Sequence, residues 1–156
     1  MVDNLTPEAR SRLMSRIRQK DTRPELVLRK ALHAAGLRYV LHPRKLPGRP
    51  DIVSPKYRTA VFVHGCFWHG HECRAGRGPS SNTEYWVAKI SANRERDAEA
   101  ASELQAQGWK VVTVWECETK TPRLDSLVSR LLKQVQVSVK QHRTIGSCSN
   151  IPDPDA

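Results

Sequence analysis

The chain has 156 residues and a mass of 17.7 kDa, which suits one domain with its own hydrophobic core. It carries 26 Lys and Arg residues against 16 acidic residues, so its formal charge is +10 and its isoelectric point is about 9.9. This charge favours a polyanionic partner over a neutral metabolite. No apolar run approaches the roughly 20 residues of a membrane span. Pro7, Glu8 and Arg10 replace the apolar stretch of a signal peptide, so we expect a cytosolic protein.

The first predicted element is a basic amphipathic helix. Thr6 and Pro7 are typical of a helix start, and the helix should continue to about residue 19. Its side chains mix arginines with apolar residues, namely Arg10, Arg12, Arg16, Arg18, Leu13, Met14 and Ile17. We predict that residues 1–20 form an arm that contacts DNA, and a solvated helix docked by its apolar stripe fits the pattern equally well.

Residues 21–140 should form the core domain. A second helix is predicted over residues 23–35, ending at Gly36, with Glu25 in its first turn, where a carboxylate also stabilises the helix dipole. Further strands are predicted at 37–41, 50–53, 59–63 and 109–115, and further helices at 82–107 and 122–139. This order indicates a mixed sheet covered by helices. Residues 141–156 show no periodicity, and we expect a disordered tail.

Potential metal ligands are concentrated in residues 61–73, which contain three of the six histidines and two of the four cysteines. A β-prone run leads into them, so they begin where a buried strand should end. A structural zinc site is predicted on Cys66, His71, Cys73 and Cys117. The residues alone also allow His69 as the histidine ligand. The alternative is that the cysteines are small buried apolar residues and the histidines are only hydrogen-bonded.

Acidic and histidine side chains also fit the hydrolysis of a phosphodiester. Asp51 heads one predicted strand, and pairing with the next strand would bring it towards His64. Mg²⁺ prefers oxygen ligands, and histidine titrates near neutral pH. We therefore predict that Asp51 holds Mg²⁺ and that His64 and His69 transfer protons. Glu25 and Asp97 would orient the histidines or metal-bound water.

This layout resembles restriction-endonuclease-like folds, in which an acidic-x-lysine triplet ends the second strand. The corresponding triplet here is Phe62-Val63-His64, so histidine must replace lysine. The expected fold is α/β, a restriction-endonuclease-like mixed sheet flanked by helices, with a structural zinc site.

Longer motifs make the resemblance more specific. They are LPGRPD at 46–51, HGCFWH at 64–69, HEC at 71–73, TEYW at 83–86, KI at 89–90, NRERD at 93–97 and VWEC at 114–117. In these residues the chain resembles the very short patch repair (Vsr) mismatch endonucleases, over about residues 8–120.

The resemblance implies an endonuclease that nicks one strand 5′ to the thymine of a T:G mismatch, the product of 5-methylcytosine deamination. The implied catalytic groups are Asp51 and the Val63 backbone carbonyl for Mg²⁺, His69 with Asp97 as general base and orienting partner, and His64 and Glu25 for metal-coordinated water. The implied structural zinc ligands are Cys66, His71, Cys73 and Cys117.

The implied DNA contacts include three aromatic rings. Phe67, Trp68 and Trp86 resemble residues that wedge into the duplex from the major-groove side, with Met14 and the amino-terminal helix on the minor-groove side. Lys89 and Asn93 are further predicted DNA contacts. For Phe67 and Trp68, in a glycine-flanked loop between candidate catalytic histidines, we favour exposed rings over a loop anchor. A core position is the alternative for Trp86.

The family likeness also suggests partners and a location. It implies a monomer acting on double-stranded DNA in the bacterial cytosol, associated with the nucleoid, with a MutL-type mismatch-repair protein and a repair polymerase as possible partners. Two other functions fit the residues. One is a restriction endonuclease of the same fold, and the other is a zinc-stapled DNA-binding module without catalysis.

Overall fold

A four-stranded sheet with helices on both faces is formed by this chain. The computed structural model describes residues 3–18 and 20–145. In chain order the helices and strands are α1 (Pro7–Ser15), α2 (Arg23–Ala34), β1 (Val40–Leu41), β2 (Ile52–Ser54), β3 (Thr59–His64), α3 (Thr83–Ala106), β4 (Lys110–Trp115) and α4 (Leu124–Ile145). The strand order is β1-β2-β3-β4, with β3 and β4 parallel and the other pairs antiparallel. The predicted mixed α/β sheet is therefore confirmed.

Both amino-terminal helices begin as the sequence predicts. The Thr6 hydroxyl accepts a hydrogen bond from the Ala9 amide at 3.3 Å, which caps α1. This helix ends at Ser15 rather than near residue 19. The Ser15 hydroxyl donates to the Arg12 carbonyl at 2.8 Å, a local bond that competes with continued helix. The amino-terminal arm is thus shorter as a helix than predicted.

The first strand is also shorter than predicted. It contains two residues, because Leu37 belongs to the end of α2 instead. The Leu37 amide donates to the Leu32 carbonyl at 3.0 Å, across Gly36 in the left-handed region at φ +87°. At the other end of the chain, α4 continues to Ile145, past the predicted end at 139. Residues 146–156 of the predicted tail lie outside the described residues.

The strand register brings three segments of the site together at one end of the strands, where β3 and β4 finish and β2 begins. Ile52 pairs with Val61 across the antiparallel strands, so the residue before β2 lies beside the end of β3. His64 pairs with Trp115 across the parallel strands β3 and β4. The loops that follow β3 and β4 therefore leave the sheet side by side.

The core has a large layer on one face of the sheet and a smaller layer on the other. The large layer joins α2 and α4 to the sheet through Leu28, Leu32, Leu37, Ile52, Val61, Val112, Val114, Leu127, Leu131 and Val135. The smaller layer, with α3, consists of Val53, Ala60 and Leu104. Among the helices of residues 3–18 and 20–145, none has the length and apolar composition needed to cross a membrane.

Shortening one leucine of α2 should test this core. Leu32 is fully buried, whereas Leu26 on the same helix is 43% exposed. We expect Leu32→Ala to lower the free energy of unfolding by about 2–5 kcal/mol, because it removes buried methyl groups and leaves a cavity. Leu26→Ala should change it by less than about 0.5 kcal/mol. Urea unfolding followed by circular dichroism measures both, and equal effects would contradict the described packing of α2.

Candidate active site and metal cluster

All five predicted catalytic side chains line one cleft of about 1100 Å³. They are Glu25, Asp51, His64, His69 and Asp97. Cationic side chains also line the cleft, namely Arg18, Lys20, Arg44, Arg49, Lys89 and Arg96. A groove lined by both carboxylates and basic residues suits a polyanion that is bound together with a cation.

Asp51 is fixed at the end of the sheet by a backbone hydrogen bond. The Val63 amide donates to Asp51 Oδ2 at 2.7 Å. Burial raises the pKa of Asp51 to about 6, and the nearby charge of Glu25 acts in the same direction. The ionised carboxylate is therefore poorly stabilised by the protein alone, and a bound cation would favour it.

His64, His69 and Asp97 form a compact group beside Asp51. The two imidazole rings stack with centroids 3.9 Å apart and planes 6° apart. His69 Nδ1 hydrogen-bonds Asp97 Oδ2, and His64 Nδ1 lies 3.8 Å from the same oxygen. Since an ionised carboxylate only accepts, Nδ1 of His69 carries a proton, and Nε2 is the basic nitrogen when the ring is neutral.

Two of these groups have shifted acidity. Burial lowers the pKa of His64 to about 4, with a further contribution from His69, so His64 is neutral at pH 7. Burial alone would raise the pKa of Asp97, but the hydrogen bond from His69 and the charges of both histidines lower it overall. Asp97 is thus an ionised acceptor that can orient His69.

Glu25 is buried and already has several hydrogen-bond donors. Its carboxylate accepts from the amides of Asp21 and Thr22 and, at 2.7 Å, from the Thr22 hydroxyl. Arg29 Nη2 also donates to it at 2.6 Å. These contacts match the helix-terminal role that the sequence left open for Glu25. They leave little of the carboxylate for a water ligand, although it lines the cleft.

His42 is a cleft residue that sequence reasoning missed. Arg29 Nη2 lies 2.8 Å from His42 Nε2, and because arginine only donates, this nitrogen accepts. A neutral His42 therefore carries its proton on Nδ1, which lies 3.7 Å from Asp51 Oδ1. The histidine belongs to no motif, and only the register of β1 against β2, in which Leu41 pairs with Ile52, could have indicated its position.

A second group of potential ligands lies beyond the stacked histidines. Cys66, His71, Cys73 and Cys117 offer ligand atoms that all lie within 4.8 Å of one another. Cys117 Sγ is 3.7 Å from His71 Nδ1, close to the separation of about 3.6 Å between sulfur and nitrogen in tetrahedral zinc. The donor set therefore fits zinc, and it contains His71 rather than His69.

The three thiols differ in acidity. Burial raises the pKa of Cys66 to about 12 and also raises that of Cys117. The hydrogen bond with His71 lowers the pKa of Cys73 to about 6. Because zinc binds thiolates, its charge would have to remove protons that the buried cysteines otherwise keep.

The three predicted DNA-wedging aromatics form one cluster. Phe67 and Trp68 each contact Trp86, with ring centroids 5.1 and 6.0 Å apart. Trp86 is only 6% exposed, which matches the core position that the sequence left open for it. Its neighbours cover it, and its Nε1 donates to Asp3 Oδ2 at 2.9 Å. Phe67 and Trp68 are half-buried.

The other predicted DNA contacts line the cleft. Met14 is half-buried, and Lys89 is exposed. Asn93 Nδ2 donates to the Trp68 carbonyl at 2.8 Å, and its Oδ1 accepts from Arg96. The Asn93 amide therefore supports the aromatic loop from α3.

Comparisons with known proteins show which family the chain belongs to. Residues 2–75 match the sequence profile of the family DNA mismatch endonuclease Vsr. The chain is 44% identical over 117 residues to DNA mismatch endonuclease Vsr of Escherichia coli (strain K12), which is 75% of each protein. The chain belongs to the Vsr family of DNA endonucleases.

The chain is also similar to the type II nicking enzyme V.XorIIP of Xanthomonas oryzae pv. oryzae. The two are 51% identical over 131 residues, which is 84% of this chain and 95% of that protein. The catalytic domain of homing endonuclease I-Bth0305I aligns with 76% of this chain and 99% of its own length, with a TM-score of 0.51 and 19% identity. This likeness shows a shared fold. Membership of the Vsr family makes the chain a DNA-cleaving hydrolase.

The acidity of Asp51 should be measurable as a stability effect. Because its pKa is raised to about 6 in the folded protein, ionised Asp51 costs native-state free energy at pH 7. We expect Asp51→Asn to raise the free energy of unfolding by about 1–3 kcal/mol in buffer without added divalent cations. The gain should disappear below about pH 4, where the carboxyl is protonated in both states.

Asp97→Asn is the matched control for this change. The pKa of Asp97 is lowered in the folded protein, so losing its charge should lower stability at pH 7 and have less effect in acid. Thermal melts from about pH 3.5 to about pH 8 measure the stability of both variants. This range extends from roughly the pKa of aspartate in the unfolded chain to above the pKa of Asp51 in the folded protein. A loss of stability in Asp51→Asn at pH 7 would contradict the described burial of Asp51.

Proposed function

We propose that this protein is a Mg²⁺-dependent, strand-specific mismatch endonuclease that nicks DNA 5′ to the T of a T:G mismatch arising from 5-methylcytosine deamination. The proposal rests on the convergence, in one basic cleft, of Asp51, the His69–Asp97 pair and an aromatic loop. Family membership supports DNA cleavage. The aromatic loop beside the proton-transfer group supports action on a distorted base pair.

Asp51 and the Val63 carbonyl would hold the magnesium ion. When bound, Mg²⁺ supplies positive charge to the scissile phosphate and lowers the pKa of a coordinated water. The raised pKa of Asp51 supports this assignment, since a cation relieves its unfavourable ionisation. The Val63 amide keeps one carboxylate oxygen directed to the sheet.

His69 is the general base of the proposed mechanism. Its Nδ1 is held by Asp97, so Nε2 can accept a proton from the attacking water as the water oxygen bonds to phosphorus and the bond from phosphorus to the leaving oxygen breaks. The leaving oxygen takes its proton from solvent. The ionised Asp97 stabilises the imidazolium that forms. His64, neutral at pH 7, keeps the stacked pair from repelling the incoming proton and would hydrogen-bond water at the magnesium site. The carboxylate of Glu25 is already occupied by its own donors, so Glu25 keeps its helix-terminal role in this scheme.

Recognition of the mismatch is assigned to the aromatic loop. A wobble pair is poorly stacked, so opening it costs less than the few kcal/mol that a normal base step requires. Phe67 and Trp68, which are half-buried, would contact the bases, with Trp86 behind them. Met14, Lys89 and Asn93 would complete the DNA surface of the cleft.

Zinc on Cys66, His71, Cys73 and Cys117 would stabilise the loop that carries the aromatic rings. Three of the four ligands lie in this loop, and Cys117 follows β4. The ion would therefore fix the loop to the adjacent strand end. The family likeness extends the proposal to a cytosolic monomer that works with a MutL-type repair protein and a repair polymerase.

A second candidate function is nicking of a defined sequence without a mismatch. It is favoured by the similarity to V.XorIIP, which is named a type II nicking enzyme. A restriction endonuclease that cuts both strands and a DNA-binding module without catalysis are the remaining alternatives. The three alternatives give different products on a defined duplex. The nicking enzyme cuts one strand without a mismatch, the restriction endonuclease cuts both strands, and the DNA-binding module makes no cut.

Nicking of two duplexes that differ only in a T:G or C:G pair should separate these functions. With Mg²⁺, we expect one cut 5′ to the T in a T:G duplex and at least about 100-fold slower cutting of its C:G counterpart. Asp51→Ala and His69→Ala should each slow nicking by about 100-fold or more, because a metal ligand or general base is lost. Binding of the T:G duplex should change by less than about threefold, since neither group supplies most of the contacts.

Two variants outside the cleft serve as controls. Asp125→Ala and His33→Ala remove the same groups from exposed positions on α4 and α2, and both should nick at the parental rate. Parental nicking by Asp51→Ala or His69→Ala would overturn the assigned roles. Equal nicking of T:G and C:G duplexes would favour the second candidate function.

The zinc assignment has its own test. We expect the purified protein to contain about one zinc per chain, and Cys117→Ser to lose zinc and several degrees of melting temperature, because metal binding is coupled to folding. Cys148→Ser is the matched control, since this cysteine is outside the predicted ligand set. Elemental analysis and thermal melts measure both, and parental protein without zinc would contradict the proposal.

A further inference from the structure

The backbone of Asp3 fastens the amino-terminal segment to the start of α3. Its amide donates to Ser81 Oγ at 2.6 Å. Its carbonyl lies 3.1 Å from both Ser81 Oγ and Asn82 Nδ2, which can donate to it. These bonds join residues that are 78 and 79 positions apart in the chain. The amino-terminal arm is therefore docked on the core domain by specific polar contacts.

The side chain of Asp3 connects two elements that face the cleft. Asp3 Oδ2 accepts from Arg10 Nε of α1 at 2.8 Å and from Trp86 Nε1 of α3 at 2.9 Å. The side chains of Asp3 and Arg10 are only 6% and 10% exposed. The hydrogen bond from Arg10 lowers the pKa of Asp3 to about 2, so the carboxylate is ionised under all working conditions. We call Asp3, Arg10, Ser81, Asn82 and Trp86 the Asp3 clasp.

Arg10 is directed into the protein rather than towards a phosphate. Its Nη2 donates to the Leu5 carbonyl at 2.9 Å, and its guanidinium lies 4.9 Å from the centre of the Tyr85 ring. Of the four arginines predicted to contact DNA from the arm, this one is buried. The role of Arg10 is thus to hold the arm in position, through Asp3 and through an aromatic face.

The arm and the aromatic cluster form different parts of the cleft wall. Met14, Ile17 and Arg18 line it from the arm, and Trp68 lines it from the loop beside Trp86. Asp3 and Arg10 are not among the residues that line it. The Asp3 clasp therefore connects the two DNA-facing surfaces from behind and touches no reacting group.

We propose that Asp3 is a positioning residue that keeps the arm closed over bound DNA and couples this closed position to the ring of Trp86. This inference rests on the proposed function, because it assigns the DNA duplex to the cleft. Because Met14, Ile17 and Arg18 line the cleft from the arm, a duplex bound there contacts the arm and is held less firmly when the arm is free to move. The Asp3 clasp then controls how long the duplex stays bound, without changing the chemical step.

Asp3→Asn tests this role. The amide keeps the size of the side chain but loses the charge that Arg10 and Trp86 bind. We expect the complex with a T:G duplex, formed without Mg²⁺, to dissociate about tenfold faster, since interface changes act mainly on dissociation. Single-turnover nicking at saturating protein should stay within about twofold, because no reacting group has changed.

Glu8→Gln is the matched control. It removes one negative charge from an exposed position on the same arm, and it should dissociate and nick at parental rates. Arg10→Lys is a second variant that keeps the charge and loses the planar guanidinium, and it should also dissociate faster. The double variant Asp3→Asn with Arg10→Lys should dissociate more slowly than the product of the two single effects predicts, since both substitutions break the same contact between Asp3 and Arg10.

Trypsin cleavage of the free protein provides a readout that needs no DNA. Arg12 and Arg16 are exposed, and cutting there requires the arm to leave the core domain. We expect Asp3→Asn to be cut about tenfold faster there than parental protein or Glu8→Gln, with unchanged cutting elsewhere. Equal cutting of Asp3→Asn and parental protein would overturn the Asp3 clasp.

The two readouts separate this inference from the proposed function. Faster cutting by trypsin with unchanged dissociation of DNA would overturn the coupling of the arm to bound duplex. If parental protein fails to prefer T:G over C:G, the mismatch proposal fails. The dissociation experiment then decides the role of Asp3 on the C:G duplex.

Discussion

The position of β3 between β2 and β4 is the constraint on which the site depends. Antiparallel pairing with β2 brings Asp51 to the Val63 amide, and parallel pairing with β4 brings Cys117 to the loop after His64. A shift of register by one residue would turn these side chains to the opposite face of the sheet. The buried leucines and valines that fix the register therefore also fix the geometry of the chemistry, although none of them takes part in it.

Two carboxylates in this cleft have opposite electrostatic environments. Asp51 is desolvated, and the donor to its carboxylate is the uncharged Val63 amide, so its pKa rises. Asp97 is paired with His69, so its pKa falls. Different functions follow from the same functional group, because one site is suited to attract a cation and the other to stabilise an imidazolium.

Much of the fold could be predicted from sequence, because it depends on local patterns. Apolar periodicity, the cap at Thr6 and the stop at Gly36 predicted the helices, and short apolar runs predicted the strands. The errors in element boundaries occur where a residue makes a hydrogen bond that ends a helix. Leu37 looks like the start of a strand, but it completes the end of α2. Ser15 looks like a helical residue, but it ends the helix.

The candidate site was predictable to the extent that its residues lie in compact motifs. The grouping of His71 rather than His69 with the cysteines depends on how the loop folds, which spacing does not determine. His42 has no motif, and its proximity to Asp51 arises from strand pairing. Trp86 resembles an exposed aromatic on a polar helix until Asp3, 83 residues earlier, is seen to cover it. Long-range contacts of this kind carry no local signal.

The stacked imidazoles of His64 and His69 set a limit on how much charge their corner of the cleft can hold. Two rings at this separation repel each other strongly if both are cationic, so the pair accommodates one extra proton at most at neutral pH. A proton taken up there during strand scission must leave to solvent before the next substrate is attacked. In the proposed mechanism the protein thus returns to the same electrical state after every turnover.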